Sequence, residues 1–198
     1  MLLKLFPRFK IDHLLNTTGI TTIKLDTARF ILRPLTSQDA EALFAIFSDA
    51  DVMRYWNTPP WECLDDATQF IKQSHEDLTT HQAITLAIVS KSDETVIGKC
   101  LLFSWDKESR RAEIGFGIAK SHWGQGVIQE AGSALINYAF STLQLRRIEA
   151  EIDPANIGSA KVLTKLGFTK EGHLRARWEI AGEVSDSALF GLLASDVN

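Results

Sequence analysis

The sequence predicts a mixed α/β (α+β) domain, a mostly antiparallel central sheet flanked by helices. Three observations lead there. Residues 83–119 hold three strand-like apolar runs parted by short polar turn signals, the pattern of a meander. Helical patterns, with apolar residues three and four apart, lie before and after that stretch. Strands and helices do not alternate one for one, which argues against a doubly wound parallel sheet.

Residues 1–23 read as an N-terminal extension containing Asn16-Thr17-Thr18-Gly19, and the patterned domain spans 24–198. Phe30 and Leu32 alternate with Ile31 and Arg33 in a strand that Pro34 ends. Ser37-Gln38-Asp39 opens a helix over residues 40–47, with Leu43, Ile46 and Phe47 on one side. Residues 49–60 give a short helix and a loop closed by Pro59-Pro60, and a further helix runs over 65–77 through Ala67, Phe70 and Ile71. The meander strands are 83–89, 96–105 and 111–119, separated by Lys91-Ser92-Asp93 and Asp106-Lys107-Glu108-Ser109. A helix over about 125–142 spaces Val127, Ala131, Ala134, Leu135 and Tyr138 helically. A strand at 147–152, a helix at 156–166 stopped by Gly167, and strands at 168–174 and 184–193 complete the domain.

A chain of 198 residues is long enough to bury a substantial core in one domain. Its 45% hydrophobic and 23% charged content is that of an ordinary soluble protein. The net charge of −4 gives no basic field to recruit nucleic acid. Cys63 and Cys100 are neither closely spaced nor set among histidines, so reduced thiols are expected and a metal site is not. Lys4, Pro7, Arg8, Lys10 and Asp12 break residues 1–15 before a signal core forms. No apolar run approaches the ~20 residues of a membrane span. The expectation is a cytoplasmic protein with neither nucleic-acid nor membrane partners.

The chemistry concentrates in Ser121-His122-Trp123-Gly124-Gln125-Gly126, between an apolar strand and an amphipathic helix. The G-x-G spacing bares the backbone where a helix start offers unpaired N–H groups and partial positive charge. A diphosphate fits there, although many strand-to-helix turns need glycine for positive φ alone. Upstream, period two puts Ile114, Phe116 and Ile118 on a core face and Glu113, Gly115, Gly117 and Ala119 on the other. That second face reads as a strip of bare backbone with a carboxylate at one end, a place for a ligand to lie close. Asn156-Ile157-Gly158-Ser159 opens the next helix with Asn156 as its cap. The aromatics Tyr55, Trp56 and Trp61 suit a satellite core under a long loop.

These motifs resemble the GNAT superfamily of acetyl-CoA-dependent N-acetyltransferases, most of all the branch holding the RimJ and RimL ribosomal-protein N-terminal acetyltransferases. The carriers are Leu25-Asp26-Thr27-Ala28-Arg29-Phe30-Ile31-Leu32-Arg33-Pro34-Leu35, then Ala112-Glu113-Ile114-Gly115. His122-Trp123-Gly124-Gln125-Gly126 with Glu130-Ala131 follows, and Asn156-Ile157-Gly158-Ser159-Ala160 leads to Lys165-Leu166-Gly167-Phe168. The resemblance runs from about Leu25 to the C-terminus. It implies the acyl-CoA N-acyltransferase fold, acetyl-CoA as co-substrate without a metal, and direct attack of a primary amine on the thioester. By position it implies coenzyme contacts from Phe116, Gly117, Ile118, Trp123, Gly124, Gln125, Gly126, Val127, Asn156 and Ser159. It places the acceptor pocket at Tyr55, Trp56 and Trp61. Glu113 is either a base reached through water or a strand glutamate paired with Arg110 and Arg111. Asp186 matches a family acid or is a turn residue, and His122 is expected to face solvent. Two places depart from the family: Ser121 stands where the phosphate loop usually starts with Gln or Arg, and Leu163 where many members carry a tyrosine acid. Ser159 is the nearest substitute for that acid.

The acceptor implied is the α-amine of a protein N-terminus, of the ribosomal-protein alanine or serine type. A small amine (polyamine, amino acid or aminoglycoside) and a non-catalytic acyl-CoA-binding module are the alternatives, and a homodimer is left open. An α-amine with pKa about 7.8 is ~14% neutral at pH 7, against ~0.04% for lysine near 10.4, so it needs the weaker base.

Overall fold

A computed structural model describes residues 23–180 and 182–197. The expected extension, residues 1–23, lies outside them except for Ile23, which is buried in the main core.

The chain forms strands β1 (Leu25–Asp26), β2 (Phe30–Pro34), β3 (Ile84–Ser90), β4 (Val96–Asp106), β5 (Arg111–Ile118), β6 (Arg147–Ile152), β7 (Thr169–Ile180) and β8 (Glu183–Leu193). They make one sheet in the order β1-β2-β3-β4-β5-β6-β8-β7. Every neighbouring pair is antiparallel except β5 with β6. Helices α1 (Ala40–Phe47), α2 (Ala50–Met53) and α3 (Leu64–Thr80) share a core with Ala87 and Val89 of β3. Helices α4 (Val127–Ser141) and α5 (Ile157–Lys165) share the other with Leu86 and Ile88. Alternate residues of one strand thus serve two opposite cores, and β3 is buried along its whole length.

The feature that makes a site is a parting of two strands. β5 and β6 pair only from Arg111↔Arg147 to Glu113↔Glu149, whereas β6 stays with β8 as far as Ile152↔Ala188. The Ile114–Ile118 end of β5 therefore has no ladder on its β6 side, and a wedge opens there.

Several boundaries differ from the sequence expectation, each for a local reason. The long helix starts at Val127, not near Gln125, because Gly126 takes φ +74° and cannot be helical. The α3 helix starts at Leu64, where Asp66 accepts from the amides of Glu62 (2.8 Å) and Cys63 (3.0 Å). β7 continues past 174 to Ile180, over a register shift between Leu174 and Trp178 that Asp186 pins by accepting the Ala176 N–H at 2.8 Å. β8 inserts between β6 and β7, a long-range choice that no local pattern encodes.

Candidate active site

Gly124 and Gly126 both sit at φ +74°. A Cβ would meet nothing within 4 Å at Gly124 and only Arg29 Nη2 at 3.7 Å at Gly126, so torsion rather than space demands glycine here. The first amide bonded in this turn of α4 is Glu130, which donates to the Gly126 carbonyl at 3.1 Å. The N–H groups from Gly124 to Gln129 have no acceptor among the described residues, which leaves a row of donors open to an anion. Trp123 is a correction: its amide donates to Lys120 O at 3.1 Å and its indole N–H to Ile118 O at 3.1 Å, so its N–H is not in the row.

Arg29 is a residue that sequence reasoning passed over, quoted only as part of the opening motif. Its backbone N–H and Nε donate to the Glu130 carboxylate, both at 2.7 Å, and its Nη1 to the Gln125 carbonyl at 3.0 Å. Thr27 adds a hydroxyl to the same carboxylate at 2.7 Å. Burial pushes Glu130 up, but these bonds outweigh it and hold the carboxyl below its usual range. A guanidinium thus stands beside the turn where Ser121 supplies no long side chain.

In the wedge, register decides which amides are free. Ala119 donates to the Ile97 carbonyl at 2.9 Å, and Gly117 lies opposite Lys99. Because antiparallel bonding alternates, the amides of Gly115 and Gly117 turn to β4, while that of Ile114 serves the Glu113↔Glu149 pairing with β6 and those of Phe116 and Ile118, beyond the last pair, face the wedge. Of the three residues of this strand that the resemblance offered as coenzyme contacts, Phe116 and Ile118 turn their N–H groups to the wedge and Gly117 turns its own to β4. The supposed bare strip is also covered. A Cβ at Gly117 would lie 2.8 Å from the Trp56 ring and 2.9 Å from that of Phe47, and one at Gly115 3.0 Å from Leu101. These glycines admit the protein's own side chains.

Glu113, on that same face, is half-buried. Burial raises its pKa, the Ser104 hydroxyl opposes, and the charges of Glu151 and Glu149 raise it further. Arg111 pairs instead with Glu149 at 2.7 Å, so Glu113 has no ion pair among the described residues. Asn156 caps α5, accepting the Ser159 N–H at 3.0 Å. The Ser159 hydroxyl has no partner among the described residues. Leu163 is fully buried in the main core, so no phenol stands at that place.

A cavity of about 490 Å³ lies between the α2–α3 loop, α3 and β4. Its walls include Phe47, Trp56, Trp61 and Phe70; Tyr55 is not among its lining residues and lies instead against Arg54. Phe47 meets Trp56 edge-on at 5.7 Å, and Trp61 stands 5.5 Å from Phe70. Lys99 of β4, which no sequence pattern singled out, lines the cavity with only 4% of its surface exposed. Asp186 also accepts from His173 Nε2 at 2.7 Å, in the β7 bulge. His122 is partly covered, its Nδ1 3.1 Å from Ser121 Oγ. Cys63 and Cys100 are free thiols, and burial pushes Cys100 up to about 12. Among the described residues, no His, Cys, Asp and Glu cluster able to hold a metal occurs, and no helix is long and apolar enough to cross a membrane.

Comparison with known proteins places this geometry. The uncharacterized N-acetyltransferase p20 of Bacillus licheniformis is 38% identical over 85% of this chain and 95% of its own. YdaF of Bacillus subtilis, named as a candidate ribosomal N-acetyltransferase, is 32% identical over 74% of this chain and 72% of its own. The spermidine N(1)-acetyltransferase of Escherichia coli (strain K12) is 28% identical over 77% of this chain and 79% of its own. The structure of Mycobacterium smegmatis RimJ in complex with CoA-disulfide superposes with a TM-score of 0.81 at 22% identity, over 88% of this chain and 89% of that one. The acetyltransferase (GNAT) domain model matches residues 29–169, from the arginine beside the Gly124–Gly126 turn to the start of β7. That span holds both the amide row and the wedge, and the chain belongs to the GNAT family of N-acetyltransferases.

Proposed function

We propose that the protein transfers the acetyl group of acetyl-CoA to the α-amine of a peptide or protein N-terminus. The coenzyme diphosphate sits on the amides of Gly124 to Val127 with Arg29 alongside, and the pantetheine arm enters the wedge. The unbonded amides support this fit, since each is a donor awaiting an acceptor. The N–H groups of Phe116 and Ile118 face the acetyl oxygen, and donors of that kind are typically worth ~10²–10³ in rate. Glu113 takes the amine proton through water, and Ser159 donates to the departing thiolate.

The observation that carries the choice of acceptor is the character of the cavity beside Gly117. Its walls are aromatic, its buried ionisable group is the basic Lys99, and Asp66 on its rim is committed to capping α3. Such a pocket suits a single amine carried on an apolar body better than a polycation. A polyamine acceptor is the second reading, favoured by the acids Glu113, Glu149 and Glu151. Glu149 is already paired with Arg111 and Arg147, and Glu151 with Arg177, so little of that charge is uncommitted.

The test compares kcat/KM for Ala- or Ser-initiated peptides, the same peptides blocked at the N-terminus but bearing lysine, spermidine, and an aminoglycoside. The free α-amine peptides should lead. A small amine ahead by tenfold or more would overturn the assignment.

A further inference from the structure

Lys99 is the feature that the coenzyme site does not use. Its Nζ lies 3.6 Å from the centroid of Phe70, 4.2 Å from Phe47, 5.2 Å from Trp56 and 5.5 Å from Trp61. An ammonium has three N–H donors. Ring faces attract its charge but supply no oxygen, and no carboxylate or carbonyl among the described residues pairs with it. The acids nearest the cavity are otherwise placed. Asp66 receives the amides of Glu62 and Cys63, and Glu62 is exposed at the rim. A lysine amine with no oxygen partner among the described residues, whose donors open into a cavity large enough for a small ligand, is placed to pair with an anion that enters there.

We propose that this cavity is a carboxylate-binding subsite for the acceptor: Lys99 pairs with a carboxylate, and an apolar body lies between Trp56, Trp61 and Phe70. The proposal rests on the acceptor reading above and sharpens it, because it asks the acceptor to bring an anion as well as an amine. That anion is an acidic side chain near the acceptor's N-terminus; the α-carboxylate of a free amino acid in its place would keep the subsite and overturn the peptide reading above. Lys99 lies opposite Gly117 on the neighbouring strand, one strand from the wedge, so a ligand held here is within short reach of the acetyl group. Burial lowers the Lys99 pKa to about 7, so an arriving anion draws a proton onto it. Affinity for the anion should therefore fall as pH rises through and above neutrality. Cys63, Glu62 and Asp66 are the titratable groups facing Lys99 from the loop and α3, while α1, β3 and β5 contribute Phe47, Ala87 and Gly117, none of which titrates.

The deciding measurement uses ligands without an amine, so that it does not depend on acetyl transfer. Binding of 3-phenylpropanoate and of 3-phenylpropanamide to the full chain is followed by tryptophan fluorescence, in the wild type and in Lys99→Met. The wild type should bind the acid at least tenfold more tightly than the amide, and Lys99→Met should lose that preference. Met keeps an apolar chain of similar length among the same four rings, so the variant should fold, with a thermal melt as the check. The wild-type comparison of acid with amide stands even if the variant does not fold. Equal binding of acid and amide, or a preference that survives in Lys99→Met, overturns the proposal. Acetylation of phenylalanine against phenylalaninamide, and of peptides with Glu against Gln at the second position, then identifies which source supplies the carboxylate. Failure of the acceptor reading shows differently, as absence of transfer to every α-amine while acid binding persists.

Discussion

Gly126 holds φ +74° at the first turn of α4, and a β-branched side chain at that torsion is strained by roughly 1–2 kcal/mol. Gly126→Val should relieve the strain by rotating the turn, which moves the amides of Gly126 and Val127 off the diphosphate. Isothermal titration should show a Kd for coenzyme A raised tenfold or more, with a far-UV spectrum unchanged. Unaltered binding would remove the diphosphate from this turn. Glu113→Gln tests the base. Neutral amine is plentiful at high pH and scarce at low pH, so the wild-type advantage in kcat should widen as pH falls from about 9 to 6. The raised pKa of Glu113 sets the lower end of that window, because a protonated carboxyl cannot accept. A constant ratio across the range would make Glu113 structural. The two glycines, Asn156 and Glu113 were legible because each is read within its own turn or strand. Lys99 and Arg29 were not, because what gives them meaning lies far off in sequence: Phe47 and Phe70 for one, Glu130 for the other. Trp123 and Gly117 were misread because the direction of a backbone N–H depends on strand pairing and on the turn beside it, which side-chain pattern does not reveal.

Elements are joined here by a few polar contacts between segments whose apolar faces are already packed. The start of β2 is fastened to the first turn of α4 by Arg29 and Glu130. Arg29→Ala removes the cation proposed to flank the diphosphate and frees the turn, so Kd for coenzyme A should rise about five- to tenfold, and more at low salt than at high. A Kd insensitive to both the substitution and the salt would deny Arg29 that role. Asp39 ties the end of β2 to the approach to α1. Arg33 Nη1 and Nη2 donate to its two oxygens, each at 2.8 Å, and the Thr36 amide to one of them at 2.7 Å. Burial pushes Asp39 up, but Arg33 and Thr36 overcome it and hold the carboxyl below the 3.8 of an unperturbed aspartate. Its stabilisation is therefore present above pH 3.8 and lost as pH falls through the lower folded value. Asp39→Asn should cost roughly 2–3 kcal/mol in urea melts at pH 7, with the deficit shrinking below pH 4. Periodicity set most element spans, including α1 and β6 to the residue. It missed the length of β7, whose continuation depends on Asp186 of the neighbouring strand.

At the scale of the whole molecule, the sheet is closed against two helical layers and open at one place. The parallel seam between β5 and β6 ends after Glu113↔Glu149, and the amide row of α4, the cap of α5 and the Gly117 face all lie near that opening. The meander and the order of motifs predicted a mostly antiparallel sheet. The wedge itself is an absence of pairing, which no pattern of residues along the chain encodes. The central claim is that this opening brings a thioester to an α-amine. Its most direct test is one peptide carrying a free N-terminal alanine and an internal lysine, incubated with the protein and acetyl-CoA and sequenced by tandem mass spectrometry. The account predicts the acetyl group on the α-nitrogen, with the lysine unmodified at early times. Acetyl on the lysine ε-nitrogen first, or on neither while spermidine under the same conditions is acetylated, would contradict it.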